Sequence, residues 1–212
     1  YTEGISTLGE EDLVYAAELG YRIKHLGICR RTAEGIELRV HPTLIPHDRL
    51  IANVNGVMNA ILVKGDAVGP TLYYGPGAGS EPTASAVVAD IVDVARTLTA
   101  DPEHRVPHLA FQPDRLSSEP VLPMSAVRTS YYLRVAALDR PGVLWRVAQI
   151  LGEAGISIEA LIQKEAPEGQ ETATLILLSS VTTESHMSEA ITAVEALDSI
   201  RGRVTRIRME KL

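Results

Sequence analysis

The chain has 212 residues, of which 45% are apolar and 22% charged, a composition typical of a globular protein with a substantial core. Its formal net charge of −7 argues against general nucleic-acid binding, because phosphate backbones repel an acidic protein. No segment reaches the roughly 18 uninterrupted apolar residues of a membrane helix, and the first residues do not resemble a signal peptide. We therefore expect a cytoplasmic protein with neither nucleic-acid nor membrane partners.

The first hundred residues predict an α+β fold in which an antiparallel or mixed sheet is covered by helices. Leu13, Ala16 and Ala17 recur at helical spacing, and Gly20 suits the C′ position that ends such a helix. Alternating segments then predict two antiparallel hairpins, since each pair surrounds a turn sequence. The strand segments are 21–31 and 36–45 in the first hairpin and 59–66 and 70–74 in the second.

A helix from about Pro82 to Leu98 follows the second hairpin. Its apolar residues recur at helical spacing, so we expect this face to pack on the sheet. These residues are Val87, Ile91, Val94, Ala95 and Leu98. The chain has a single cysteine, Cys29, which excludes an internal disulfide and predicts a buried, inert thiol.

Residues 99–129 are predicted to be a linker, because prolines interrupt both helices and central strands. The prolines are Pro102, Pro107, Pro113, Pro120 and Pro123. His104 and His108 are four residues apart, a spacing that can hold a metal ion on a helix. Pro107 lies between them, so we expect no metal site.

Residues 130–212 alternate in the order βαββαβ, which is typical of a ferredoxin-like domain. Two helical stripes are expected to cover one face of its sheet. The first stripe contains Leu144, Val147, Ala148 and Leu151, and the second Met187, Ala190, Ile191 and Val194. In the last strand, Arg206 and Arg208 alternate with apolar residues and are expected to face solvent.

The corner "LDRPGVL" at residues 138–144 joins the first strand of this domain to its first helix. Pro141 suits the first helical turn, and Gly142 leaves the backbone open to a ligand. Amide groups at a helix start favour a carboxylate, and Asp139 could take an ammonium group, so an α-amino acid would match both. Alternatively, Asp139 caps the helix.

The element order, with D-x-x-G from Asp139 to Gly142, resembles the ACT domain, a regulatory module that binds small molecules. The resemblance implies that two such domains pair side by side and hold an amino-acid effector near this corner and the second strand. Its effector-binding residues would be Asp139, Gly142 and Val143. Leu161 and Leu177 are expected to face away from the helices and to contribute to that contact.

The stretch "TLYYGPGAGSEPTASAVVADI" at residues 71–91 combines a strand, a glycine run and a helix. The dinucleotide-binding fingerprint is G-x-G-x-x-G, whereas Gly75, Gly77 and Gly79 are spaced G-x-G-x-G. The run therefore does not predict a phosphate-binding loop.

Four collinear stretches resemble the catalytic domain of homoserine dehydrogenase, in its C-terminal part. They are residues 3–6, 16–27, 41–79 and 82–91. The resemblance implies reduction of L-aspartate 4-semialdehyde to L-homoserine with NADP or NAD, feedback by threonine, and a homodimer or homotetramer. It places Gly79 at the nicotinamide end of the cofactor. It also implies domains at 1–98 and 130–212.

The family's phosphate-binding loop and its catalytic lysine, in a D-x-x-x-K motif, have no counterpart here, because no aspartate is followed by lysine four places later. Lys24, in a strand without a carboxylate at fixed spacing, is predicted to be a surface residue. The chain opens at Tyr1 within a patterned segment, so we expect a piece of a longer polypeptide whose upstream part holds the Rossmann domain. The alternative is a non-catalytic amino-acid sensor.

Overall fold

The computed structural model describes residues 1–99, 111, 113–164 and 171–212. These residues form two compact units, Tyr1–Ala52 together with Glu119–Leu212, and Asn53–Ser118. The elements are α1 (Glu10–Glu18), β1 (Tyr21–Arg31), β2 (Ile36–Pro46), β3 (Met58–Gly65), β4 (Gly69–Pro76), α2 (Ser80–Thr99), β5 (Arg128–Leu138), α3 (Val143–Glu153), β6 (Ile158–Lys164), β7 (Thr172–Ser179), β8 (Thr182–Thr183), α4 (Glu184–Glu195) and β9 (Thr205–Met209). The predicted α+β class is confirmed.

In the first unit, the predicted ferredoxin-like order is present, with β9, β5, β7 and β6 adjacent in that sequence. Both predicted helical stripes lie on one face of this sheet and close a core with β5 and β7. Its helix residues include Val147, Leu151, Met187, Ala190 and Val194, all buried. Helix α4 begins after Thr183, whose hydroxyl accepts a hydrogen bond from the His186 amide at 3.3 Å, as expected of an N-cap.

Helix α1 covers part of the opposite sheet face, where Tyr15 and Ala16 pack with residues of β2, β5, β7 and β9. The predicted stripe was wrong in part, because Leu13 is 56% exposed and Ala17 is also exposed. The buried face is instead completed by Asp12, a charged residue that helical periodicity assigns to solvent. The predicted helix end is confirmed at Gly20, which has a φ of +80°.

The hairpin of β1 and β2 extends this sheet, because β2 pairs in parallel with β9 through Thr43 and Leu44. The first compact unit therefore combines residues from both ends of the chain. Of the predicted linker, residues 100–110 and 112, with His104 and His108, lie outside the described residues. Its end pairs with β2, since the Ile36 amide donates to the Pro120 carbonyl at 2.9 Å.

Two side chains of this sheet differ from their predicted environment. Cys29 on β1 is exposed rather than buried, because it lies opposite the exposed Leu38 on a part of the sheet face that the described residues leave uncovered. Arg208 on β9 is fully buried rather than solvated. Its guanidinium pairs with Glu184 at 2.5 Å and with Glu3 at 3.0 Å, and these charges make burial of the arginine possible.

The second unit contains the predicted hairpin of β3 and β4 and the 20-residue helix α2. Contrary to prediction, the residues that the structure describes leave the apolar face of α2 uncovered, with Val87 52% and Ile91 62% exposed. A two-stranded ribbon is too small to bury such a helix. Within the described part of the chain, no helix has the length and apolarity needed to cross a membrane.

Candidate functional site

The corner between β5 and α3 is held by backbone hydrogen bonds to two other segments. The Leu138 amide donates to the Ser199 carbonyl at 2.8 Å, and the Asp139 amide donates to the Glu171 carbonyl at 2.9 Å. Gly142 is the N-cap of α3 with a φ of +89°, in the left-handed region that favours glycine. Asp139 is therefore not the N-cap residue, and the capping interpretation of this aspartate is wrong.

A cavity of about 340 Å³ opens at this corner and brings the three predicted effector-binding residues together. Asp139, Gly142 and Val143 all line it. Sequence reasoning missed Arg140 in the corner itself and Gln163 on β6. The alternation of β6 could have indicated Gln163, because it follows Leu161 by two residues and lies on the same sheet face.

The cavity combines charge with apolar surface. Asp139 and Arg140 are exposed at its rim, while Leu144 and Leu175 contribute aliphatic walls. The first amides of α3 lack helical partners, and the helix dipole makes this end favourable for a carboxylate. The lining can therefore accept a small zwitterion with an apolar or short polar side chain.

The predicted roles of Leu161 and Leu177 need correction. Leu177 is 1% exposed and belongs to the helix-covered core with α3 and α4, so it does not face away from the helices. Leu161 pairs with Leu177 on β6, on the same face of the sheet. It is 41% exposed because β6 is the last strand at this edge of the sheet.

The second candidate position, Gly79, lies in the other compact unit, at the corner between β4 and α2. Its φ of +126° requires glycine, and its carbonyl accepts a hydrogen bond from the Thr83 amide at 3.1 Å. A Cβ added at Gly79 would lie 3.2 Å from Cδ of Pro82, which is a tight contact. The described residues thus leave an exposed, bare backbone at the start of α2.

Gly77, in the same glycine run, has a purely structural role. A Cβ at Gly77 would lie 1.8 Å from Nδ2 of Asn59 on β3, so any side chain there would displace the asparagine. The Gly77 amide donates to the Val57 carbonyl at 3.1 Å. Gly77 therefore serves the tight turn between β4 and α2.

A second cavity of about 520 Å³ lies beside α4 and β9, but its charged groups already have partners. Arg206 pairs with Glu184 at 3.0 Å, Arg203 with Glu195 at 3.5 Å, and Glu3 with Arg208. A ligand there would have to break these pairs. The corner cavity is therefore the better candidate site.

Two segments of the chain match known protein families. Residues 1–92 match the homoserine dehydrogenase family, and residues 131–199 match the ACT domain. Over all 212 residues the chain is 63% identical to a homoserine dehydrogenase of Pseudomonas aeruginosa and 58% identical to one of Neisseria gonorrhoeae. It covers 49% and 48% of these proteins, so it spans about half of their length.

A solved homoserine dehydrogenase from Thiobacillus denitrificans has the same fold over 99% of this chain, with a TM-score of 0.90 and 65% identity. The match covers 47% of that protein. The chain therefore corresponds to the C-terminal half of these homoserine dehydrogenases and includes a segment that matches the ACT domain.

Proposed function

We propose that the protein to which this chain belongs is a cytoplasmic, NAD(P)-dependent homoserine dehydrogenase that reduces L-aspartate 4-semialdehyde to L-homoserine. The observation that carries this proposal is the 63% identity to a named homoserine dehydrogenase, which extends without interruption over the full 212 residues. The product would serve threonine, methionine and isoleucine biosynthesis.

In this proposal the chain contributes one side of the active site. The exposed backbone at Gly79 and the start of α2 would border the nicotinamide ring, because a residue without Cβ lets a flat ring approach closely. The cofactor, when bound, would supply the hydride. Residues upstream of Tyr1 would hold its pyrophosphate and provide the acid/base lysine, since the sequence contains neither a G-x-G-x-x-G loop nor a D-x-x-x-K motif.

The corner cavity would bind an amino-acid effector, which we propose to be threonine. Asp139 would accept hydrogen bonds from its ammonium group, while the Gly142 amide would donate to its carboxylate. Val143, whose amide already donates to the Arg140 carbonyl at 3.3 Å, would contact the effector through its side chain. The exposed edge strand β6 would pair with β6 of a second copy, in a homodimer or homotetramer. The effector would then sit beside the interface between two copies.

The test is an assay of the full-length protein and of the 212-residue chain in parallel. The full-length protein should oxidise NADPH or NADH when supplied with L-aspartate 4-semialdehyde, and L-threonine should lower that rate. The isolated chain should show no turnover. A full-length protein without turnover would contradict the enzyme proposal, and insensitivity to threonine would contradict only the choice of effector.

A non-catalytic amino-acid sensor is the second candidate. Its support is that the corner cavity is built from residues of this chain alone, whereas the family's catalytic lysine motif is missing from it. Turnover by the full-length protein would exclude this candidate.

A further inference from the structure

Helix α1 contacts two of the three strands that line the corner cavity. On β5, Arg134 bonds to Asp12 of α1, four residues before the cavity residue Leu138. On β6, Lys164 bonds to Glu18 of α1, immediately after the cavity residue Gln163. One nine-residue helix of the homoserine dehydrogenase segment therefore bonds to two strands, β5 and β6, next to the residues that line the ACT-domain cavity.

The contact with β5 is a buried polar cluster around Asp12, which is fully buried. Its carboxylate accepts hydrogen bonds from the Tyr132 hydroxyl at 2.9 Å, from Nε of Arg134 at 2.7 Å and from the Gly9 amide at 2.8 Å. Burial alone would lower the pKa of Arg134, but the hydrogen bond and charge of Asp12 raise it above its usual value. Separating α1 from β5 would leave a buried charge unpaired, so the two elements are held to one arrangement.

The contact with β6 follows from the alternation of a strand. Gln163 lines the cavity, and Lys164 points to the other face, where its ammonium lies 2.6 Å from Glu18 and 5.0 Å from the centre of the Tyr15 ring. A ligand that orders Gln163 would therefore also restrict Lys164. The hydrogen bond to Glu18 raises the pKa of Lys164, which keeps the ammonium charged.

We propose that α1 is the element through which occupancy of the corner cavity is transmitted to residues 1–52. This inference rests on the proposed effector binding at that cavity. A ligand that fixes the end of β5 and Gln163 stabilises the docking of α1 through Asp12 and Glu18. By reciprocity, weakening the docking of α1 changes the affinity of the cavity for its ligand.

The test is hydrogen exchange of the 212-residue chain with and without saturating L-threonine, L-isoleucine or L-methionine. The expected result is that a bound amino acid slows exchange of the α1 amides by roughly fivefold or more, the lower end of usual coupling energies. The slowing should exceed that of α4, which does not line the cavity, because global stabilisation would slow both helices equally.

Two matched variants separate transmission from general stability. Lys164→Gln removes an exposed ion pair between β6 and α1, whereas Lys211→Gln removes an exposed pair at 3.7 Å between the C-terminus and Glu159 of β6. Both changes should leave folding intact, since exposed pairs contribute little to stability. Lys164→Gln should reduce the ligand-induced slowing in α1 by about half or more, and Lys211→Gln should retain it.

Equal effects of the two variants, or binding that leaves α1 exchange no slower than that of α4, would overturn this inference while leaving the effector site intact. Failure of all three amino acids to bind would overturn the effector proposal and this inference together.

Discussion

Two corners of this molecule share the order strand, glycine, helix but differ in what surrounds the glycine. Gly142, with a φ of +89°, opens into a cavity walled by β5, β6, β7 and α3 of its own compact unit. Gly79, with a φ of +126°, is followed by a helix whose apolar residues are exposed. The corner at Gly142 is therefore enclosed by residues of this chain. The corner at Gly79 instead exposes its backbone within its own compact unit.

This difference indicates how function is divided along the polypeptide. One ferredoxin-like domain can form a binding site for a small regulatory ligand, because its sheet and one helix start provide charges and a cavity that match the ligand. A hydride-transfer site needs a nucleotide-binding domain and an acid/base group as well. The glycine at the second corner is thus one part of a site whose other parts we propose to lie upstream.

The largest expected effect is that of Gly79→Val in the full-length enzyme. A β-branched residue with positive φ is strained, and its side chain would meet Pro82 and fill the space proposed for the nicotinamide. We expect kcat/KM to fall by about 100-fold, roughly 2.7 kcal/mol of transition-state stabilisation. Steady-state kinetics with both substrates measure this.

Gly75→Ala is the matched control, because a Cβ there meets nothing within 4 Å. It should retain near wild-type kinetics. Equal kinetics for Gly79→Val and Gly75→Ala would remove Gly79 from the active site.

The next largest effect is expected from Gly142→Val in the 212-residue chain. Strain at positive φ would move the start of α3, and the branched side chain would cover the backbone that we propose to contact the effector carboxylate. Threonine binding measured by calorimetry should weaken by about 30-fold, or roughly 2 kcal/mol.

Gly152→Ala, in the last turn of the same helix with nothing within 4 Å of its added Cβ, should bind threonine normally and should be slightly more stable. Unchanged binding by Gly142→Val would exclude the corner cavity as the effector site.

A pH-dependent loss of stability is expected in the first compact unit. Burial is the main cause that lowers the pKa of His41 to about 4; the charges of Arg208 and Arg39 contribute to this lowering, and the hydrogen bond to Pro42 opposes it. Above pH 6.5 the imidazole is neutral in both folded and unfolded chains. As pH falls from 6.5 towards 4, the unfolded chain binds a proton that the folded chain excludes, so the free energy of unfolding decreases.

Urea unfolding at a series of pH values measures this decrease. His41→Gln, which keeps an acceptor for Arg39, should lose this part of the pH dependence, whereas His186→Gln on the exposed surface of α4 should keep it. Identical pH profiles for the two variants would show that His41 is not the group responsible.

The smallest effect is expected from Arg203→Gln. The side chain is 92% exposed and pairs with Glu195 at 3.5 Å beside the second cavity. Stability should change by less than about 0.5 kcal/mol, and threonine binding should not change. Loss of binding in this variant alone would place the effector in the second cavity.

The sequence predicted those parts of the fold that depend on local patterns. The stripes of α3 and α4, the two hairpins and the glycine at the end of α1 follow from periodicity and turn chemistry. The buried face of α1 was predicted incorrectly because Asp12 is paired with Arg134, which is 122 residues away. Parallel pairing of β2 with β9 likewise joins distant residues and leaves no local signal.

The corner motif of the candidate site could be predicted from the sequence, but the strand residues that line the rest of the cavity could not. Asp139, Gly142 and Val143 form one contiguous motif, and the structure places all three on one cavity. Gln163 reaches the same cavity only because β6 and β7 pair in a particular register, with Gln163 opposite Leu175. The sequence alone did not provide that register.

The most direct test of the central claim is a calorimetric titration of the purified 212-residue chain with two ligands in turn, L-threonine and NADPH. The account predicts saturable binding heat for L-threonine and none for NADPH, because the effector cavity is contained in this chain and the nucleotide-binding part is not. Saturable NADPH binding, with no heat from L-threonine, would contradict it.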